Sequence, residues 1–174
     1  GADDVCDAVG NCAQAGPVGP VAVDRSPPAA PCARPSEWFA GDVTVACSAT
    51  DDGSGLADPT AASFALSASV PAGAEDDRVA TTSRQVCDTA GNCTTAGPVT
   101  VKIDRRPPDV ACASPPAGWA AGEVEVDCAA TDAGSGVAPG ARVSDKGLFS
   151  LGASVPQGSS SSSAPSSAQE VCDR

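Results

Sequence analysis

The chain has 174 residues, including 18 Gly, 16 Pro and 9 Cys, with 3% aromatic residues and no His, Tyr or Met. Without His there is no Ser-His-Asp or Cys-His nucleophile and no His-containing metal site, so most familiar enzyme chemistry is excluded. Ten Lys and Arg against 22 Asp and Glu give a formal net charge of -12, which repels nucleic acid and anionic membranes.

From the N-terminus, Val5-Cys6-Asp7-Ala8-Val9-Gly10-Asn11-Cys12 reads as a tight hairpin with Asp, Gly and Asn at its tip. Val23-Asp24-Arg25 with Pro27-Pro28 reads as a stiff linker. Val43, Val45 and Cys47 alternate with Thr44, Ala46 and Ser48, the period of a strand with one wet and one buried face. Thr50-Asp51-Asp52-Gly53-Ser54-Gly55 is a turn, and Phe64, Leu66 and Ala68 resume the alternation. The hairpin returns as Val86-Cys87-Asp88-Thr89-Ala90-Gly91-Asn92-Cys93, shifted by 81 residues. A strand on Val99, Val101 and Ile103 follows, then Asp104-Arg105 with Pro107-Pro108.

The same landmarks then recur in order. Cys112, Trp119, Gly122 and Cys128 answer Cys32, Trp38, Gly41 and Cys47, and Val124 and Val126 answer Val43 and Val45. Thr131-Asp132-Ala133-Gly134-Ser135-Gly136 answers the turn, Ala153-Ser154-Val155-Pro156 answers Ala68-Ser69-Val70-Pro71, and Val171-Cys172-Asp173 starts the hairpin again. The period divides the chain into 1–24, the end of one repeat; 25–104, a whole repeat; and 105–174, a repeat lacking its last strand. Short strands punctuated by Gly, Pro, Asp and Asn predict an all-β chain of tandem sandwiches. No apolar run approaches the ~20 residues of a membrane span, and nothing reads as a signal peptide.

The cysteines recur in pairs: Cys6 with Cys12, Cys32 with Cys47, Cys87 with Cys93, and Cys112 with Cys128, leaving Cys172 over. Spacing alone does not fix connectivity, but the repeat predicts four local disulfides. Thiolate zinc sites favour tighter spacing and often His. Disulfides place the chain outside the cytosol and support a core poor in aromatic residues.

Cys87-Asp88-Thr89-Ala90-Gly91-Asn92-Cys93, then Ala96-Gly97-Pro98-Val99-Thr100-Val101-Lys102-Ile103-Asp104 and Pro107-Pro108, resembles the junction between bacterial immunoglobulin-like repeats of large secreted and cell-surface proteins. Gly118-Trp119 and Thr131–Val137 extend the resemblance over nearly the whole chain. It implies tandem immunoglobulin-like β-sandwiches serving as a stalk or adhesive module, secreted or at the cell surface. It departs from antibody domains in having local disulfides rather than one bridge between sheets.

Asp24, Asp51, Asp52, Asp104 and Asp132, with Asp88 and Asn92 of the second hairpin, suit calcium, which takes six to eight oxygens. The same residues suit turns, and no EF-hand loop is present, so turn capping is the expectation and calcium the alternative. Trp38 and Trp119 are expected to pack rather than to stack on a sugar. The sequence thus predicts a non-enzymatic spacer that needs no cofactor. A module binding a glycan or surface protein is the competing class. Its partners are neighbouring repeats, with no nucleic acid and no membrane insertion. Residues 12–23 copy the strand absent from 105–174, which predicts head-to-tail self-association.

Overall fold

Alternation of apolar and polar residues produces the two longest antiparallel pairs. The computed structural model describes residues 3–140 and 142–174, which are all-β with no α-helix among them. β1 (Asp3–Cys6) and β2 (Cys12–Ala15) form the first hairpin. Residues 25–104 hold β3 (Trp38–Phe39), β4 (Val43–Ser48), β5 (Ser63–Ala68), β6 (Glu75–Ala80), β7 (Arg84–Cys87), β8 (Cys93–Ala96) and β9 (Thr100–Asp104). The last segment holds β10 (Asp109–Cys112), β11 (Val124–Thr131) and β12 (Leu148–Ala153).

β4 pairs with β5 from Val43↔Ala68 to Ser48↔Ser63, and its burial alternates strictly, with Val43, Val45 and Cys47 inward. β6, β9 and β3 make a second sheet, with β9 antiparallel to β6 and parallel to β3. Val43, Val45 and Ala68 of the first sheet meet Val101 and Ile103 of the second in one core, with Phe39, Val70 and Val79 packed against it. Val86, Ala49 and Ala61 form a smaller cluster under the β7–β8 hairpin. β6 with β7 and β8 with β9 are the two arms of one long hairpin, running from Glu75↔Asp104 at one end to Cys87↔Cys93 beside the tip. At ~3.3 Å per residue, the arm from 93 to 104 spans roughly 35 Å.

The last segment reproduces much of this. β11 pairs with β12 from Val124↔Ala153 to Ala129↔Leu148. β10 pairs with β11 at Asp109↔Thr131 and Cys112↔Cys128, where the middle segment has the bridges Ala29↔Thr50 and Cys32↔Cys47. Asp173 bridges Val137 as Asp88 bridges Leu56. Four disulfides are present, Cys6–Cys12, Cys32–Cys47, Cys87–Cys93 and Cys112–Cys128, while Cys172 is free and exposed. They indicate an oxidising, non-cytosolic setting.

The two tryptophans differ. Trp38 is half-buried, paired with Lys102 in the β3–β9 register and lying 5.7 Å from its ammonium group. Trp119 is 76% exposed, which corrects the expectation that both pack. Trp38 is flanked by β9, whereas Trp119 lies outside the β10–β11–β12 sheet and lines an open cavity with Val124, Val155 and Ser161.

Candidate functional site at the segment junctions

Asp24 and Asp104 each end an arm of chain and reach into the turn of the segment that follows. The Asp104 Oδ2 accepts from the Ser135 N–H at 2.7 Å and its Oδ1 from the Arg106 N–H at 3.1 Å. Asp24 does the same with Ser54 at 2.7 Å and Ser26 at 3.0 Å. The receiving turns are folded by their own acids. Asp51 accepts from the Gly55 N–H at 2.8 Å and Asp132 from the Gly136 N–H at 2.6 Å, the Asx-turn chemistry that Asp-x-Gly-Ser-Gly encodes. Gly53 and Gly134 are required by the close approach: a Cβ on either would collide with the carboxylate of Asp24 or Asp104.

These bonds set the carboxylate chemistry. The N–H groups of Ser26 and Ser54 hold the Asp24 pKa below its ordinary value. For Asp104, burial pushes upward, but the N–H groups of Ser135 and Arg106 outweigh it and the pKa is lowered.

The linker beyond Asp104 is fixed as well. The Arg105 N–H donates to the Ala74 carbonyl at 2.9 Å, and the Arg105 carbonyl accepts from the Gly73 N–H at 3.0 Å. Its guanidinium donates to the Val70 carbonyl at 3.0 Å and meets Asp42 at 3.2 Å. Arg106 pairs instead with Asp109 of the last segment at 2.6 Å. Adjacent arginines thus grip opposite sides of the boundary, and Pro107-Pro108 restricts the chain between them and β10.

Two carboxylate triads result. Asp24, Asp51 and Asp88 bring one oxygen each within 4.8 Å of one another, as do Glu75, Asp104 and Asp132. No ion pair among the described residues neutralises either triad. Asp88 is 2% exposed and bonded to the Asn92 N–H and side-chain amide, each at 2.7 Å. The same amide reaches the Asp24 carbonyl at 3.2 Å, tying the hairpin tip to the linker. In the second triad, Glu75 Oε2 and the neighbouring Ser135 Oγ are buried without a hydrogen-bond partner. Three carboxylates with added waters would meet the oxygen preference of calcium.

Of the candidate acids, Asp24, Asp51 and Asp88 come together in one place and Asp104 and Asp132 in the other. Asp52 is exposed and lies outside both triads, because Asp51 folds into the turn and leaves the next side chain to solvent. Glu75 escaped the sequence reading because it has no counterpart in the last segment. The Ser-rich stretch 157–167 replaces its surroundings there, so recurrence gives no signal. Among the described residues no helix is long and apolar enough to cross a membrane. Comparison with known protein families, curated proteins and solved structures finds no match.

Proposed function

We propose that the chain is an extracellular structural spacer of a bacterial secreted or surface protein, built of immunoglobulin-like β-sandwich units joined end to end. The observation that carries this reading is the junction. Asp104 and Arg105–Arg106 lock one segment onto the next through main-chain and charge-assisted bonds, and Asp24 prepares the same lock at the other boundary. A hinge meant to swing would not hold its linker residues from both sides. The disulfides serve the same end, since a small core outside the cell needs resistance to unfolding and proteolysis. Glycan arrays and capture of surface proteins with the chain separate a spacer from a binding module. The spacer reading expects no specific partner, and a specific hit lost in Trp119→Ala would replace it.

A second reading is favoured at one place. The unpartnered Glu75 Oε2 beside Asp104 and Asp132 is what a divalent cation would satisfy, stiffening the junction by adding a common ligand. Calcium binding there raises the melting temperature by mass action, and Glu75→Gln abolishes the rise. An unchanged melting temperature at millimolar calcium assigns the acids to turn capping alone.

A further inference from the structure

Cys87 and Cys93 close a hairpin tip, Asp88 to Asn92, that contributes no side chain to the apolar clusters of the described residues. The tip is therefore held to the rest of the middle segment by polar contacts. The Thr89 N–H donates to the Gly55 carbonyl at 2.9 Å, and its hydroxyl donates to the Ser54 carbonyl at 2.6 Å. The Ala90 N–H donates to the Ser54 hydroxyl at 3.2 Å, and the Asn92 side-chain amide to the Asp24 carbonyl at 3.2 Å. Each of these donors lies between the two cysteines, so the bridge fixes the shape in which the tip reaches both the turn and the linker. Every residue involved lies between Asp24 and Cys93.

The tip is held against a load. Both carboxylate oxygens of the buried Asp88 accept, one from the Asn92 N–H and one from its side-chain amide, which is how an ionised acid bonds. Both oxygens of Asp24 accept as well, from the Ser26 and Ser54 N–H groups. With Asp51 these acids converge within 4.8 Å, and no ion pair among the described residues neutralises them. Like charges so close repel, most strongly where one is shielded from water. Asn92 opposes that repulsion from a position fixed by the bridge, since Asp88 follows Cys87 directly and Asn92 directly precedes Cys93.

The two bridges of the middle segment differ in access. Cys93 is exposed and Cys87 half-buried, whereas Cys47 is buried and Cys32 is half-buried against the core. Disulfide exchange begins when a thiolate reaches one of the two sulfurs, so access decides which bridge opens first.

We infer that Cys87–Cys93 is a redox-controlled latch on the boundary at Asp24, which a dithiol opens to free the linker without unfolding the segment. This goes beyond the spacer reading, because it makes the stiffness of one boundary adjustable. A thiolate of the dithiol attacks Cys93 Sγ, and Cys87 leaves as a thiolate and takes up a proton. The second thiol of the reductant then attacks its own sulfur in the mixed disulfide and releases Cys93, which is protonated in turn. The segment gains two electrons and two protons, and the reductant departs as an intramolecular disulfide. With the bridge open, the tip loses its fixed shape, repulsion parts Asp88 from Asp24 and Asp51, and the Ser54 turn loses the contacts that clamp it to the tip. The core of Val43, Val45, Ala68, Val101 and Ile103 uses no residue of the tip and stays folded behind Cys32–Cys47. Exchange with an oxidised dithiol runs the same steps backwards and closes the latch.

Graded dithiothreitol on the 174-residue chain tests this, with Cys172→Ser in place so that no free thiol of the protein competes. Alkylation of the released thiols and peptide mass spectrometry follow each bridge in time. Cys87 and Cys93 should be labelled at least about tenfold faster than Cys32 and Cys47. Hydrogen exchange, read by NMR once Cys87–Cys93 is open and Cys32–Cys47 still closed, should be faster at the Thr89, Ala90, Ser54 and Ser26 amides and unchanged along the β4–β5 ladder. Reoxidation should restore protection, and Cys87→Ser/Cys93→Ser should show the open pattern with no reductant present. Cys32–Cys47 opening first or at the same rate overturns the inference. So does unchanged exchange at the tip and turn after the bridge opens, or loss of protection along β4–β5 as well, which would mean unfolding rather than release. None of these results bears on whether the chain is a spacer, which the search for binding partners decides separately.

Discussion

Removing the long bridge of the middle segment by Cys32→Ala/Cys47→Ala opens a loop closed over a separation of 15 residues. In the chain-entropy model a loop of that size contributes about 3 kcal/mol, whereas the separation of 6 in Cys87–Cys93 gives about 2 kcal/mol. The long bridge also packs on the core: Cys47 is buried, and Cys32 lies against the cluster of Val43, Val45, Ala68, Val101 and Ile103. Loss of two sulfurs there adds about 1 kcal/mol of lost packing. A unit of roughly 60–100 residues loses about 4–8 °C per kcal/mol, so the long bridge should cost roughly 15–30 °C and the short one roughly 8–16 °C. Trp38 fluorescence reports the middle segment in a Trp119→Phe background, which costs little because Trp119 is exposed. Urea and thermal unfolding of the two variants should then rank the long bridge above the short. The reverse order, or a loss below about 1 kcal/mol for the long bridge, would refute the claim that this bridge supports a small core.

Ile103→Ala empties the centre of that core and should destabilise the middle segment by about 2–5 kcal/mol in the same urea assay. Gly134→Ala drives a methyl into the Asp104 carboxylate and should loosen the junction, seen as faster hydrogen exchange at the Ser135 and Arg106 amides, while the matched Gly53→Ala affects Ser54 and Ser26. Asp7, Asp24, Asp58 and Asp104 all titrate below their ordinary values because N–H and O–H groups donate to the ionised form. The unfolded chain therefore takes up protons first: their contribution is complete above about pH 4 and is lost as pH falls through the lower folded values. Melting temperature against pH should fall on that side, and a flat profile from pH 5 to about pH 2 would contradict it.

Recurrence made the local disulfides and the strands of period two readable. β4 and β11 display the alternation of Val43, Val45 and Cys47 and of Val124, Val126 and Cys128, because each buries one face only. Three features left no such trace. β3 is two residues long and pairs in parallel with a strand some sixty residues away, so neither length nor period announces it. The arm from Cys93 to Asp104 reads as a hairpin strand followed by another strand, but the divergence of its halves into different sheets is a tertiary property. Glu75 joins Asp104 and Asp132 only because the long hairpin returns it to the junction, and a reading that weights repeated residues passes over a residue present once. Trp119 holds the repeat position of Trp38, which implies packing, yet its side chain is exposed.

Asp104 and the arginines beside it should hold the middle and last segments as one body. Residual dipolar couplings measured for the backbone amides of both segments in one aligned sample test it most directly. A single alignment tensor should fit the wild-type chain, and Asp104→Ala, which removes the acceptor of the Ser135 and Arg106 amides, should split it into two tensors of unequal magnitude. Two unequal tensors in the wild-type chain would contradict it.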